Sequence, residues 1–286
     1  MPAPAPTSDA PPVHFFLHVP KCAGTTVERH FERTLGAGFL LAPRWRHPLR
    51  DVIGNRYPSL SPADLAGVRA VSGHSLSRSL ADKFPGREVR PSVLIRDPVG
   101  FLVSFWNYRW MRHETRGQPA PPPFAEWRRT QRRNPITRFL LHRYFEIGYP
   151  ALYRHSTRAR FLYLDAAFTG FHFVGSYRRC DEALAGISAE LGVDETVESE
   201  NVGEARRLRV ADLSPEEVAE IETQNAADAL LFARWKDRGF GDGAAGGLPA
   251  GAPPAADAAA HLPDHDGLTN LVSDIDSAVR RKLWRR

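Results

Sequence analysis

The sequence has few of the features that mark a secreted or membrane-spanning protein. Only two cysteines, Cys22 and Cys180, occur among its 286 residues, which excludes a disulfide framework and favours a reducing compartment. No stretch approaches the ~18 uninterrupted apolar residues that a membrane span requires. The first twelve residues, MPAPAPTSDAPP, lack the basic and apolar regions of a signal peptide. We therefore expect a soluble, cytoplasmic protein that is disordered over residues 1–12.

The body of the chain also lacks an excess of positive charge. The formal net charge is +5, and the last seven residues, RRKLWRR, contribute five basic residues and no acidic one. The rest of the chain is therefore neutral overall, which argues against nucleic-acid binding. Its histidines and cysteines do not follow the spacing of metal ligands, apart from His261 and His265 in a loose HLPDH segment of the tail. We expect no nucleic-acid partner and no metal.

Composition divides the chain into four parts. Hydrophobic residues make up 42% of the sequence, which is enough for a sizeable core. Residues 239–260 are dominated by Gly, Ala and Pro, as is typical of a flexible linker. Beyond them, apolar residues recur at helical spacing among basic ones, which predicts a basic amphipathic helix at 261–286. Such a helix would suit a peripheral membrane contact, a protein partner or a second subunit. The folded domain is expected at 13–238.

Apolar runs and helix signals alternate along this domain. The runs that predict strands are 13–19, 68–72, 93–95, 161–164 and 171–175. The patterns that predict helices are 27–33, a segment beginning at Pro98, 135–147, Cys180–Leu191 and a long segment from Ser214 to Gly239. Such alternation favours a mostly parallel sheet flanked by helices, a three-layer α/β fold. Ligands of these sheets bind beyond the carboxyl ends of the strands.

The loop after the first strand has the chemistry of an oxyanion site. The segment HVPKCAGTT at 18–26 leads into a helix, whose first N–H groups and dipole attract anions. Gly24 lets the backbone close around an oxyanion, and Lys21 adds a positive charge. Thr25 and Thr26 add hydroxyl donors. The lysine precedes the glycine, unlike in the G-x-x-x-x-G-K-[ST] motif of nucleoside triphosphatases. The alternative is an ordinary turn with a surface lysine.

A second candidate phosphate site follows the strand at 93–95. Arg96 lies at the end of this strand, and Asp97 and Pro98 are a typical N-cap and first residue of a helix. Ser104 lies about two turns into that helix, within reach of a guanidinium that folds back along it. Arginine recognises phosphate with two donors, so Arg96 and Ser104 could hold one phosphate together. The alternatives are a salt bridge for Arg96 and a helix-surface hydroxyl for Ser104.

Four segments resemble one known family. HVPKCAGTT resembles the 5′-phosphosulfate loop of sulfotransferases, and IRDPVGFLVSFWNY at 95–108 resembles their 3′-phosphate segment, with an Arg and a Ser eight residues apart. NPITRFL at 134–140 and FVGSY at 173–177 resemble later stretches. The chain is thus similar, over about 13–238, to sulfotransferases that use 3′-phosphoadenosine 5′-phosphosulfate (PAPS), especially bacterial relatives of the heparan sulfate 2-O-sulfotransferase branch. Ala23 departs from the family, where Gly is commonest.

The resemblance implies a P-loop-like fold and a role for each matched residue. The residues that would hold the 5′-phosphosulfate are Lys21, Cys22, Ala23, Gly24, Thr25 and Thr26. Lys21 would also stabilise the charge that develops on the leaving group. Arg96 and Ser104 would hold the 3′-phosphate. His74 matches the general base of the 2-O branch, which takes the proton of the acceptor hydroxyl. The implied acceptor is a hydroxyl, often on a carbohydrate, and no metal is required.

Several residues keep two interpretations. His74 could instead pack or cap a turn. His18 lies inside the first strand, which favours a buried structural role, whereas His30 and His113 are expected on the surface. Cys22 could have a pKa lowered by the helix N-terminus, which would make the protein sensitive to thiol reagents, or it could be a small filler.

Some basic and aromatic residues are also ambiguous. Arg78 follows His74 closely and could face an acidic acceptor or solvent. The run RRTQRR at 128–133 could bind an anionic glycan, although such runs are usually solvated. Trp106 and Trp110 lie near the expected 3′-phosphate helix, but neither is assigned to adenine.

Two other functions remain open at this point. A kinase-like phosphoryl transferase would need magnesium ligands and a lysine inside the loop, and neither is evident. A nucleotide-binding protein without catalysis would keep the same cleft and lack the base. The joint presence of Lys21, His74, Arg96 and Ser104 argues against the latter.

Overall fold

The computed structural model describes residues 10–43, 60–193, 207–240 and 255–263. Most of the expected disordered N-terminus, most of the expected linker and nearly all of the expected helix at 261–286 lie outside these residues. The described end of the N-terminal segment contacts the domain, because Arg87 donates hydrogen bonds to the carbonyls of Pro11 and Pro12. Within the described residues, no helix has the length and apolar content needed to cross a membrane.

The described residues form one six-stranded sheet. Its strands are β1 (Val13–Leu17), β2 (Phe39–Leu41), β3 (Ala70–Gly73), β4 (Val89–Ile95), β5 (Phe173–Ser176) and β6 (Gly239–Phe240). Their order across the sheet is β2-β3-β1-β4-β5-β6. Every neighbouring pair is parallel except β5 and β6. β1 is central and buried along its whole length, as its uninterrupted apolar run predicts.

Helices flank the sheet in a three-layer α/β architecture, as predicted. They are α1 (Gly24–Leu35), α2 (Pro62–Leu65), α3 (Pro98–Arg116), α4 (Phe124–Arg129), α5 (Pro135–Phe139), α6 (Tyr149–Arg154), α7 (Thr157–Phe168), α8 (Cys180–Leu191), α9 (Pro215–Gln224), α10 (Ala226–Trp235) and α11 (Ala255–Ala258). The crossovers from β1 to β2 and from β4 to β5 run in opposite directions, so right-handed connections place their helices on opposite faces. α1 packs beside α8, and α10 packs against α5 and α7.

Aromatic side chains fill the core between these layers. Phe15 and Phe16 point to opposite faces of β1, and both are buried. Phe31 of α1, Phe168 of α7 and Trp235 of α10 are also buried. Each such burial contributes about 1.5–3 kcal/mol, so the core anchors the strand ends that carry the candidate site.

The helix starts that the sequence predicts are confirmed. Asp97 caps α3 by accepting a hydrogen bond from the Gly100 N–H at 2.6 Å, with Pro98 as the first helical residue. Ser214 and Glu217 form the expected capping box at the start of α9. These caps satisfy N–H groups that a helix leaves unpaired at its first turn.

The predicted strand at 161–164 is wrong, because these residues lie in α7. Ser156 caps this helix by accepting from the Ala159 N–H. Phe161, Leu164 and Phe168 are buried at helical spacing, whereas Tyr163 is 43% exposed. A four-residue apolar run does not by itself distinguish a strand from one side of a helix.

The predicted long helix from Ser214 to Gly239 is two helices that meet at Asn225. The Asn225 side chain accepts from the Asn134 N–H, and the Asn134 side chain accepts from the N–H groups of Ala227 and Asp228. This reciprocal pair replaces intrahelical bonds and turns the chain between α9 and α10. Gly239 does not end the helix but begins β6.

Candidate functional site

The candidate residues gather where the parallel strands end. Leu17 of β1 pairs with Gly73 of β3, so the next residues, His18 and His74, lie side by side with ring centroids 3.9 Å apart. In the same way Ile95 of β4 pairs with Ser176 of β5. The next residues there are Arg96 and Tyr177, and the Arg96 guanidinium carbon lies 4.0 Å from the Tyr177 ring centroid. Strand register thus brings distant loops to one edge, which we call the carboxyl edge.

The strand order places a switch point at this edge between β1 and β4, and we call the space beyond these two strand ends the crevice. The connection after β1 leads toward β2, whereas the connection after β4 leads toward β5 on the other side of the sheet. Neighbouring strands whose connections diverge leave a crevice beyond their ends, where ligands of parallel sheets bind. The two segments with phosphate chemistry, 18–26 and 96–104, flank this crevice.

The loop before α1 turns sharply through two left-handed residues. Lys21 has φ 64° and Ala23 has φ 61°, a conformation that costs a residue with a Cβ about 1 kcal/mol. Such strained residues concentrate at functional sites. No side chain caps α1, so its first turn presents N–H groups toward the crevice.

Gly24 is required because the His18 ring lies against it. A Cβ added at Gly24 would lie 2.0 Å from the His18 ring, a distance that no packing tolerates. Thr25 is exposed at the start of α1, and Thr26 is buried. The loop and the first turn of α1 therefore lie close to the strand end.

Lys21 is held over an aromatic ring of α3. Its Nζ lies 4.4 Å from the Tyr108 ring centroid. Partial burial, with a smaller effect from Arg96, lowers the pKa of Lys21, because both disfavour its positive charge. A bound anion would oppose both effects, because a nearby negative charge favours the protonated form of Lys21.

Arg96 connects the two segments. Its Nη1 donates to the Lys21 carbonyl at 3.2 Å, and its guanidinium packs on Tyr177. Its Nε is buried, and no hydrogen-bond partner for it occurs among the described residues. A buried donor of a charged group is costly to leave unpaired, so the crevice has a donor suited to an anionic ligand.

One side of α3 lies along these two cations. Gly100, Ser104 and Tyr108 are spaced four residues apart and therefore share a side of the helix. A Cβ at Gly100 would lie 3.0 Å from Arg96 Nε, and Tyr108 contacts Lys21. Ser104 lies between them and is half-buried, so its hydroxyl is on the side that faces the crevice.

His74 is exposed at the end of β3. Its Nδ1 lies 2.8 Å from the carbonyl oxygen of His18. Because a carbonyl only accepts, Nδ1 must carry the proton, and a neutral His74 then has its lone pair on Nε2. That tautomer has the form of a general base.

His18 is buried and hydrogen-bonded, as predicted, although β1 ends one residue before it, at Leu17. Its Nδ1 donates to Glu28 of α1 at 2.7 Å, and Ser72 of β3 donates to the same carboxylate oxygen at 3.1 Å. Glu28 thus orients His18, whose ring and carbonyl contact His74. The four side chains form a continuous network below the crevice.

The structure favours one interpretation of Cys22 and shows that the expectation for His30 is wrong. Cys22 is buried in the loop, and burial raises its pKa, because desolvation of the thiolate outweighs the neighbouring cations. Of the two interpretations given to Cys22, the structure favours the small filler. His30 is not on the surface but is buried, 2.7 Å from the Ser188 hydroxyl of α8. His113 is half-buried and lies 2.5 Å from the Gln118 carbonyl.

Other candidate residues lie away from the crevice. Trp106 is buried against Phe124 and donates to the Pro122 carbonyl, and Trp110 packs against Trp106. Both lie on a different side of α3 from Ser104.

The basic residues at 128–133 and Arg78 have different surroundings in the structure. Arg128 is buried and paired with Glu220, so this part of 128–133 is structural and not a solvated face. Arg132 contacts the ring of Tyr149. Arg78 is exposed, a few residues after His74.

Sequence reasoning missed three residues of the site: Glu28, Tyr108 and Tyr177. Tyr108 lies one helical turn beyond Ser104, so the helical repeat was a usable signal. Tyr177 ends the FVGSY segment at 173–177, but its place beside Arg96 depends on strand order. Glu28 reaches the site through helix packing, and the sequence contains no local signal for it.

The arrangement can hold an extended dianion and take a proton beside it. Comparison of the chain with known protein families, with curated proteins and with solved structures found no match.

Proposed function

We propose that this chain is a sulfotransferase that transfers the sulfuryl group of PAPS to a hydroxyl, most suitably of a carbohydrate. The observation that carries the proposal is the joined pair of phosphate segments. Arg96 donates to the backbone carbonyl of Lys21, so the guanidinium of one segment lies against the loop of the other, and its charge contributes to lowering the pKa of Lys21. Two neighbouring sites for oxyanions suit a donor with phosphates on both its 3′ and 5′ positions.

The residues present fit the two ends of this donor. The uncapped start of α1, Lys21 and the hydroxyls of Thr25 and Thr26 would hold the 5′-phosphosulfate, with Cys22, Ala23 and Gly24 contributing backbone. The buried Nε of Arg96 and the hydroxyl of Ser104 would hold the 3′-phosphate. Both sets offer hydrogen-bond donors, which phosphate and sulfate oxygens need as acceptors. A P-loop-like fold is part of the same proposal.

The chemistry divides among the chain's own residues. When bound, PAPS supplies an activated sulfuryl group and a bisphosphate leaving group. Lys21 and the N-terminus of α1 stabilise the charge that develops on the leaving side. Nε2 of His74 takes the acceptor's proton, while the His18 carbonyl holds the opposite side of the ring. Glu28 holds His18 in place.

The positions of the acids favour sulfuryl transfer over magnesium-dependent phosphoryl transfer. Glu28 accepts from His18 and Ser72, and Asp97 accepts from the Gly100 N–H. Both carboxylates thus have structural tasks beside the crevice. A kinase-like function needs carboxylates directed at a metal and its phosphates.

Calorimetric titration of the wild-type chain with three nucleotides tests the proposal. Adenosine 3′,5′-bisphosphate should bind about 10- to 100-fold more tightly than 5′-AMP, because a charge-assisted bond to the 3′-phosphate contributes ~1.5–3 kcal/mol. Equal binding of ATP with Mg²⁺, or no binding of the bisphosphate, contradicts the proposal. Binding without PAPS consumption across a screen of hydroxyl acceptors supports the non-catalytic alternative.

A further inference from the structure

The opposite edge of the sheet, where the strands begin, carries a second group of ionisable side chains. It consists of His14 on β1, His172 just before β5 and Glu190 near the end of α8. His172 Nε2 lies 2.8 Å from Glu190 Oε1, and His14 Nε2 lies 3.5 Å from Glu190 Oε2. One ligand atom from each residue lies within 4.8 Å of the other two. We call this place the amino edge.

Strand register brings these residues together. His14 pairs with Arg90 of β4, and the His172 N–H donates to the carbonyl of Pro91, the next residue of β4. The two histidines therefore lie on either side of β4, with ring centroids 5.6 Å apart. Glu190 reaches them from the carboxyl-terminal turn of α8, whose dipole end is negative.

His14 is the unusual member of the group. Its side chain is fully buried, and neither ring nitrogen has a hydrogen-bond partner among the described residues. Buried imidazole nitrogens normally have partners. The nearest acid is Glu190, at more than hydrogen-bond distance.

We propose that His14, His172 and Glu190 bind a divalent transition-metal cation of the zinc class. Two imidazoles and a carboxylate are a ligand set that zinc accepts with one position left for water. Ligands about 2.1 Å from a tetrahedral cation lie about 3.4 Å from one another. Glu190 meets the two imidazoles through different carboxylate oxygens, at 2.8 Å from His172 and 3.5 Å from His14, and one ligand atom from each residue lies within 4.8 Å of the other two. Side-chain shifts that bring these atoms to about 3.4 Å from one another complete the site.

A competing cation already contacts the same carboxylate. Arg90 Nη1 donates to Glu190 Oε2 at 2.6 Å, and its Nε and Nη2 donate to Glu88 at 3.0 and 2.8 Å. The metal therefore replaces one of three bonds of Arg90, which keeps its pair with Glu88. The net affinity for the metal is therefore the binding free energy from its three ligands minus the cost of breaking the bond between Arg90 and Glu190.

The metal site is independent of the sulfotransferase proposal. His14 lies on β1 and His18 directly follows this strand, about 13 Å away, at the opposite edge of the sheet. A cation at the amino edge would tie β1, the start of β5 and the end of α8 together. Its task is to stabilise the fold, since ligands that bind only the folded state raise its stability.

Zinc titration of the tag-free full chain tests the site. The wild type should bind one Zn²⁺ with micromolar affinity by calorimetry, and saturating Zn²⁺ should raise Tm by about 5 °C or more. Co²⁺ should give visible absorption bands typical of nitrogen ligands. His172→Ala and Glu190→Gln, at the partly exposed ligands, should each weaken binding at least tenfold and abolish the Tm shift.

Two controls separate this site from other histidines. His155→Ala removes an exposed histidine, and His261→Ala removes one from the HLPDH segment. Both should bind Zn²⁺ as the wild type does. Binding that stays unsaturated at millimolar Zn²⁺ would overturn the proposal. So would binding that persists in both ligand variants or is lost in His261→Ala.

Discussion

The two edges of the sheet contain the same kinds of side chain in different surroundings. The carboxyl edge has His18, His74 and Glu28, and the amino edge has His14, His172 and Glu190. At the carboxyl edge the glutamate is engaged in orienting buried groups, and the outer histidine is exposed. At the amino edge the inner histidine lacks hydrogen bonds among the described residues.

The direction of the helices explains this difference. In an α/β fold the helices run opposite to the strands, so helix N-termini meet at the carboxyl edge and C-termini at the amino edge. The first attract anions and the second attract cations. Lys21 and Arg96 add positive charge at the carboxyl edge, whereas Glu190 adds negative charge at the other. Two similar sets of residues therefore suit ligands of opposite charge.

The largest effect is expected for His74→Ala. Loss of the base should lower sulfuryl transfer from PAPS about 100- to 10,000-fold. Binding of adenosine 3′,5′-bisphosphate should stay within twofold, because the side chain is exposed and binds no phosphate. Zn²⁺ binding at the amino edge should not change. His155→Ala, at another exposed histidine, is the control and should keep full activity.

Gly24→Ala should disrupt the loop at the carboxyl edge through a steric clash. The added Cβ would meet the His18 ring at 2.0 Å, so the loop must move away from the crevice. We expect about 100-fold weaker bisphosphate binding and a loss of about 1–3 kcal/mol in unfolding free energy, measured by calorimetry and urea titration. At Gly67 an added Cβ meets nothing within 4 Å. Equal effects of Gly67→Ala and Gly24→Ala would contradict this explanation.

Glu28→Ala should act through position and not through contact with the substrate. Without the carboxylate, the buried Nδ1–H of His18 loses its acceptor, and the carbonyl that orients His74 becomes less well placed. We expect kcat to fall about tenfold, because about tenfold corresponds to the loss of one hydrogen bond of a charged group. KM should be nearly unchanged. Glu28→Gln retains an acceptor and should restore most of the rate. If both variants lower KM and kcat alike, Glu28 is only structural.

The smallest effect is expected for Ala23→Gly, which should increase the stability of the fold. Glycine adopts φ 61° without the clash that alanine has there, so the variant should be more stable by about 0.5–1 kcal/mol. Urea unfolding measures this difference. Ala37→Gly, outside the site, is the control and should not stabilise. A loss of stability in Ala23→Gly would show that the left-handed loop conformation is not populated in solution.

The sequence predicts the local parts of this site better than their assembly. Lys21, Gly24 and Arg96 follow strands, in segments whose loop and helix-cap residues can be recognised from the sequence. Asp97 caps its helix as the sequence predicts. The contact between His18 and His74 depends on β3 lying beside β1, and that order is a property of the whole sheet.

Long-range packing accounts for the errors. His30 is a polar residue on α1, and only the packing of α8 against α1 makes it buried. The run at 161–164 lacked a signal to separate strand from helix, because its cap at Ser156 lies outside the apolar stretch. His14 reads as one residue in a buried strand, and its neighbours at the amino edge are more than 150 residues away along the chain.

The central claim is that Arg96 binds the 3′-phosphate and Lys21 binds the 5′-phosphate. Titrating two nucleotides into the wild type and single variants tests it most directly. Calorimetry would compare adenosine 3′,5′-bisphosphate and 5′-AMP on the wild type, Arg96→Ala and Lys21→Ala. Arg178→Ala is the control, because Arg178 also contacts the Tyr177 ring but is exposed. We predict that Arg96→Ala weakens only the bisphosphate, about 10- to 100-fold, and that Lys21→Ala weakens both nucleotides. Equal losses for both nucleotides in Arg96→Ala would contradict the assignment of the 3′-phosphate to Arg96.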